Sequence, residues 1–531
     1  MSNDINRQQL DLARRAATEG DWRAVSARCI GVLKSEPQRA EAHTLLGLAA
    51  LEGGRPQIAV RAFKAALRAD AEFAEARVYL ARILAANGRF AAAESEAALC
   101  LPQITGDPEL LDMLATIYSR LGRQQQALSL YRQALQLAPD NIGILVNAAA
   151  VQLFLGRSAD AGIALRRVLE RAPDHYRAHW LLAKSRRGNH TETRAHLDAL
   201  QALAGTAPPV AQPYLHYAAG KLSEDLRAWD CAWQHYQAGA DAQRQRLHYD
   251  TESERDTFNA VHEHLGESWY HRTGDHSPPA SGGETPIFIV GLPRAGSTLV
   301  EQILGSHAQV QALGELVQWP LAVKQQLGRG EAALLSPADA RAIAAQSPAA
   351  LGRTYLQSIR HLRSERRCFT DKLPGNFLYL SLIARALPGA RFVHVRRNPM
   401  DAGLATYKQL FADAYPWSYD LEELGHYYVQ YHQLMQQWQA LLSGRIYTID
   451  YDLLVAEPER ETRSLLDWLR LPFERACLEF HRAGLTAATA SATQVREPIH
   501  RRSSGRWREF AAQLQPYRKI LESAGILPPD S

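Results

Sequence analysis

Two rhythms of apolar and polar positions divide the chain. Up to about residue 190, small and apolar residues return at helical spacing inside a longer period of 34 residues. Gly20, Gly54, Gly88, Gly122 and Gly156 fall one period apart. Gly47, Ala81, Ala115, Ala149 and Ala183 hold a second register, and Ala59, Ala93, Ala127 and Ala161 a third. Pro37, Pro139 and Pro173 fall in matching turns. This pattern predicts helix–turn–helix units. Each recurrent Gly ends the first helix of a pair, and the small residues let the two helices approach closely. Residues 191–212 interrupt the period, and a degenerate unit at 213–246 keeps Gly220, Ala232 and Tyr236 in register.

Beyond residue 286 the rhythm changes to short apolar runs at 287–290, 368–371, 391–396 and 446–450. Helical stretches such as 297–306, 375–387, 400–412 and 421–442 separate them. Strands alternating with helices predict a parallel sheet covered on both faces, with ligands at the carboxyl ends of the strands. Between the two rhythms, Thr273–Thr285 is rich in Gly, Pro and Ser and breaks helical periodicity. The expected organisation is a repeat array over 1–271, degenerate after about 190, a linker at 272–285 and an α/β domain over 286–531.

Composition narrows the function classes. The chain has 531 residues, too many for a single core, and its 46% apolar content is that of a globular protein. A net charge of +4 gives no case for coating nucleic acid, although a local basic pocket stays compatible with it. Cys29, Cys100, Cys231, Cys368 and Cys477 are scattered, which argues against a disulfide framework or a zinc site and suits a reducing compartment. The first residues lack an apolar signal core, and no run of about 18 apolar residues marks a membrane span. The expected location is therefore cytoplasmic.

The densest chemical signal is Pro286-Ile-Phe-Ile-Val-Gly-Leu-Pro-Arg-Ala-Gly-Ser-Thr298. An apolar strand runs into a loop bracketed by Gly291 and Gly296, and a helix opens at Ser297 and Thr298. The spacing is that of a phosphate loop, but Ser297 stands where a nucleoside triphosphatase carries lysine. The missing lysine points to a phosphorylated donor held by main-chain amides and hydroxyls, and away from ATP hydrolysis. A second strand end, Arg391-Phe-Val-His-Val-Arg-Arg-Asn-Pro-Met-Asp401, delivers Arg396 and Arg397. A guanidinium there can bind a phosphate through two parallel hydrogen bonds.

The repeat pattern resembles the tetratricopeptide repeat, as in 40–73 and 108–141. The phosphate loop and the second strand end together resemble the sulfotransferase family over about 286–510, nearest to its tyrosylprotein branch and to bacterial relatives that carry such repeats. Asp371-Lys372-Leu-Pro374, Asp450-Tyr451-Asp452-Leu-Leu-Val455 and Ser491-Ala-Thr-Gln-Val-Arg-Glu-Pro498 followed by Gly505-Arg506-Trp507 extend the match in the same order. The implied fold is a multi-domain chain, an all-α repeat solenoid followed by a P-loop-like α/β domain.

The implied donor is 3′-phosphoadenylyl sulfate (PAPS), used without a metal. The resemblance assigns Arg294, Ala295, Gly296, Ser297 and Thr298 to the 5′-phosphosulfate. It assigns Arg397 to the 3′-phosphate, Tyr451 to the nucleotide near its ring, and Gln494, Arg496 and Arg506 to a closing segment. The family expects a serine eight residues after Arg397, where this chain has Ala405 beside Thr406. Either the helix presents Thr406 instead, or one phosphate hydrogen bond is lost. Glu315 matches the catalytic base that takes the acceptor's proton. Lys372 and Ser491 match residues that stabilise the charge growing on the departing bridging oxygen. His307 and His394 are rival bases.

The expected activity is sulfuryl transfer to an acceptor hydroxyl, such as a protein tyrosine, with the array recruiting the acceptor or a protein or peptide partner. A homodimer stays open. The alternatives are a P-loop nucleotide kinase and a non-catalytic nucleotide-binding scaffold.

Overall fold

The computed structural model describes residues 2–104, 106–185, 188–272, 285–329, 335–482 and 496–528. Most of the expected linker, together with Ser491 and Gln494, lies outside the described residues. The chain divides into two compact units, Met1–Val151 and Gln152–Ser531.

The first unit is a series of antiparallel helix pairs, such as Ala40–Glu52 with Pro56–Ala69 and Pro108–Arg120 with Gln124–Leu137. Its period has a local cause. Gly20, Gly54, Gly88 and Gly122 all take positive φ, between 66° and 78°. At Gly54 the Arg55 amide reaches back to the Ala50 carbonyl at 2.8 Å and the Gly54 amide to Leu51 at 2.9 Å, which closes the helix end. The second register holds helix contacts: a Cβ on Gly47 would press into the Phe63 ring, whose Cζ lies 2.7 Å from that point. Ala59, Ala93 and Ala127 are fully buried in the partner helices.

The second unit opens with further helices of the same kind, including Ser158–Arg171, Tyr176–Ser185, Gln212–Asp225 and Trp229–Arg244. The degenerate repeat keeps the packing rule, because Gly220 faces Tyr236 as Gly47 faces Phe63, with Cδ1 at 2.7 Å from the Cβ position. Here, however, the helices face a sheet. Tyr217, Trp233, Tyr236 and Phe258 join one continuous core with Phe288, Phe392 and Tyr407. Trp233 stacks on Tyr407 at 5.2 Å, the Tyr217 hydroxyl donates to the Tyr407 carbonyl at 3.0 Å, and Arg244 pairs with Glu423 at 2.8 Å.

The sheet has five parallel strands: β1 (Thr285–Gly291), β2 (Val310–Ala312), β3 (Cys368–Asp371), β4 (Arg391–Arg396) and β5 (Ile446–Asp450), in the order β2-β3-β1-β4-β5. Alternation of side chains sends Phe288 and Val290 into one core, and Ile287 and Ile289 into the core on the opposite face. After β1 the chain moves outward to β2 and β3, then crosses to β4 on the other flank of β1. Ligand crevices form at such a reversal of strand order.

The stretch 328–350 forms the helix Pro337–Ile343 and the start of Pro348–Ile359 in its described part. Ala340 and Ile343 are buried, and Asp339 is clasped by Lys324 at 2.6 Å.

Candidate active site

Every strand ends at the same edge, so strand order fixes the order of the chemistry. From one flank to the other, the edge presents Glu315 after β2, Lys372 after β3, the loop 291–298 after β1, Arg397 after β4 and Tyr451 after β5. Neighbouring strands lie about 5 Å apart, so the five segments are neighbours along that one edge of the sheet.

The β2–β3 end holds a charge pair. Lys372 is fully buried and its ammonium donates to Glu315 Oε1 at 2.5 Å, while the Glu315 side chain stays 39% exposed. That exposure leaves the carboxylate reachable by an incoming group. The main chain locks the pair, as the Lys372 amide donates to the Gly314 carbonyl at 2.9 Å. Behind it, Glu301 accepts from Thr370 Oγ1 at 2.9 Å and from the Gly314 amide at 3.0 Å. Burial pushes the Glu301 carboxyl up, against the pull of Lys372. Asp371, next in chain, is pushed up to about 8 by burial and is held by the Tyr355 hydroxyl at 2.8 Å and Asn376 Nδ2 at 3.1 Å.

The β1–β4–β5 end is a cavity of about 930 Å³. Among the predicted residues, Arg294, Gly296, Thr298, Arg397, Tyr451 and Arg506 line it. Ala295 and Ser297 are buried within the loop rather than on the wall. The loop is held in a form few residues tolerate: Arg294 has φ of 66° and Gly296 of 109°, in the left-handed region. A Cβ on Gly296 would collide with the Tyr451 ring. Because Gly296 is the cap of the helix Ser297–Gly305, no cap side chain competes for its first-turn amides.

Arg397 is 8% exposed and lies 4.9 Å over the Tyr451 ring. It donates to the Arg294 carbonyl at 3.1 Å and to the Ser503 carbonyl at 2.5 Å. Its Nε is buried with no hydrogen-bond partner among the described residues, which fits an anion seated there. Burial first, and Arg397 second, pull the Arg294 guanidinium down to about 10. The segment after Ile499 is pinned over this end. Asp401 accepts from the amides of Gly505 at 2.5 Å and Trp507 at 3.0 Å, and Asp452 accepts from Ser504 Oγ at 2.5 Å.

Other predicted residues sit apart. The Thr406 hydroxyl donates to the Pro293 carbonyl at 3.1 Å, and it is Ala405 that faces the cavity. Arg496 donates to the Phe154 carbonyl at 2.8 Å and does not line the cavity. Arg506 stacks at 4.3 Å over Trp229 and approaches Glu224 at 3.3 Å. The rival bases are structural. His307 is fully buried, 2.9 Å from the Pro472 carbonyl. His394 lies 2.6 Å from the Tyr431 hydroxyl, and burial pulls its imidazole down to about 3, so it stays neutral.

Sequence reasoning missed Lys184, Glu224 and Lys408 in the cavity wall, and the clasp made by Asp401 and Asp452. Asp401 had a signal, since it ends the Arg-Asn-Pro-Met-Asp run. Lys184 had none, because it belongs to the repeat half.

Comparison with known proteins finds likenesses for both the repeats and the region that carries the sheet. Residues 286–475 match the model of the sulfotransferase family, and residues 44–108 and 120–185 match tetratricopeptide repeat models. A protein of Aquifex aeolicus is 28% identical over 431 residues, which is 78% of this chain and 55% of the relative, so the chain spans about half of that protein's length. A putative protein-tyrosine sulfotransferase of Caenorhabditis briggsae is 23% identical over 252 residues, covering 46% of this chain and 88% of its own. The sulfotransferase domain of the Synechococcus PCC 7002 olefin synthase overlays 49% of this chain and 99% of its own, at 21% identity with a TM-score of 0.36. The chain thus joins segments that match tetratricopeptide repeat models to a segment, 286–475, that matches the sulfotransferase family model.

Proposed function

We propose that the chain transfers a sulfuryl group from PAPS to an acceptor hydroxyl. The observation that carries this reading is the division of one sheet edge. A lysine-free phosphate loop and an arginine with a buried, unsatisfied Nε stand at one end, and a carboxylate–ammonium pair stands at the other. The cationic end would hold the adenosine bisphosphate portion, with Arg397 toward the 3′-phosphate and the loop 294–298 toward the 5′-phosphosulfate. The acceptor oxygen attacks sulfur, a new S–O bond forms, and the bond from sulfur to the bridging oxygen breaks. Glu315 takes the acceptor's proton, and Lys372 stabilises the negative charge left on that oxygen. The products are the sulfate ester and adenosine 3′,5′-bisphosphate.

A protein tyrosine is the acceptor we favour, on the strength of the repeats and of the tyrosine-sulfotransferase relatives. A groove of about 370 Å³ in the first unit, lined by Arg82, Glu109, Asp112 and Asn141 among others, offers such a chain both charges and amides. The reading also takes a cytoplasmic setting. No helix among the described residues is long and apolar enough to cross a membrane. The test is incubation of the purified full chain with radiolabelled PAPS against tyrosine-bearing proteins and small phenols. Label should pass to an acceptor without ATP. Transfer of phosphate from ATP with PAPS ignored would overturn the reading.

A further inference from the structure

The helix Tyr176–Ser185 lies within the stretch matched by a tetratricopeptide repeat model, about a hundred residues before the sulfotransferase-family domain begins. Its Lys184 nevertheless lines the same cavity as Arg294, Thr298, Arg397 and Tyr451. The side chain is aimed by its own helix. Trp180, one turn earlier, lies 4.3 Å beneath the ammonium and is itself held edge-on by Tyr214 at 5.7 Å. Buried Leu182 and Ala183 fix the rotation of that helix against its neighbours.

Two other lysines in the cavity wall already have acids. Lys221 pairs with Asp225 at 2.5 Å, and Lys408 pairs with Glu224 at 2.7 Å. Lys184 has no carboxylate partner among the described residues. Two influences act on it, burial and then the neighbouring Arg294 guanidinium, and together they pull the ammonium down to about 8. Two half-buried cations that repel each other in a cavity are relieved when an anion settles between them.

We infer that Lys184 is part of the donor site, binding phosphate or sulfate oxygens at the 5′ end of the nucleotide beside Arg294. The last repeat helices are then a wall of the nucleotide pocket as well as a recruiting surface. This rests on the reading of the pocket as a PAPS site, and the experiment separates the two. Titration calorimetry of adenosine 3′,5′-bisphosphate is run on the full chain with Lys184→Gln, Lys184→Arg and Arg397→Ala.

Lys184→Gln should weaken binding roughly ten- to hundredfold, the range for losing one charge-assisted hydrogen bond. Lys184→Arg should recover most of it, and the unliganded melting temperature of Lys184→Gln should match or exceed the parent's. The penalty should persist with adenosine 5′-phosphate. Parent-like affinity in Lys184→Gln with loss in Arg397→Ala would overturn the inference and leave the donor reading standing. A penalty seen with adenosine 3′-phosphate but not with the 5′-phosphate would overturn the placement. No affinity for the bisphosphate in the parent protein would remove the donor reading and the inference together.

Discussion

The two ends of the sheet edge handle charge in opposite ways. At the β2–β3 end, Lys372 and Glu315 neutralise each other within 2.5 Å, and a second carboxylate, Glu301, stands behind them. At the β1–β4–β5 end, Arg294, Arg397 and Lys184 gather around one cavity, and burial with mutual repulsion pulls Arg294 and Lys184 down from their ordinary values. A balanced pair suits a proton that must move and a charge that appears only in the transition state. An excess of cations suits a ligand that is permanently anionic. Under the function proposed above, the same edge separates chemistry from binding, and substitutions should separate in the same way.

The largest expected effect is at the balanced end. Glu315→Gln should lower kcat by roughly 10²–10⁴-fold, the usual contribution of a positioned base, while bisphosphate affinity stays near that of the parent. Parallel turnover and calorimetry check this, and an equal fall in affinity would erase the division. The next effect is a pH dependence at the cationic end. Arg294 bears directly on Lys184, and Arg397 and Tyr451 line the same cavity. The ammonium form binds the anion and the neutral amine does not. Affinity is thus fully present below about 8 and lost as pH rises through it. Between pH 7 and pH 9 the bisphosphate Kd should rise by about tenfold, because one pH unit past a pKa changes the protonated fraction by that factor. Phosphate monoesters are already ionised there, with a second pKa of about 6, so the ligand's own charge is constant. Lys184→Arg should flatten the profile. The smallest effect concerns the wall at Ala405. Ala405→Ser adds a hydroxyl facing the cavity and should tighten bisphosphate binding by roughly two- to tenfold, one neutral hydrogen bond's worth.

Much of this is legible in the amino-acid sequence. Strands β3, β4 and β5 begin and end where the apolar runs do, and β1 extends its run by a few residues. The turn glycines, one period apart, have the left-handed φ that the repeat requires. The strand β2 was not legible, since three half-exposed residues carry no pattern. Thr406 and Ala405 are adjacent in sequence, and only helix rotation shows that the hydroxyl turns inward to Pro293 while the methyl faces the cavity. Arg496 lies in a motif-like run, but its partner is the Phe154 carbonyl, hundreds of residues away in the chain.

What the sequence determined by itself was local: helix pairs from a 34-residue period, strands from apolar runs, and a phosphate loop without its lysine. These depend on backbone propensity and side-chain spacing within a few turns, which a string of residues records directly. What only the tertiary structure decided was which distant groups share a space. The repeat-like helices carry Tyr217, Trp233 and Tyr236 into the core beneath the sheet edge, and that packing brings Lys184 to the cavity of Arg294 and Arg397. Such a meeting depends on how whole helices seat against one another, and no spacing along the chain encodes it.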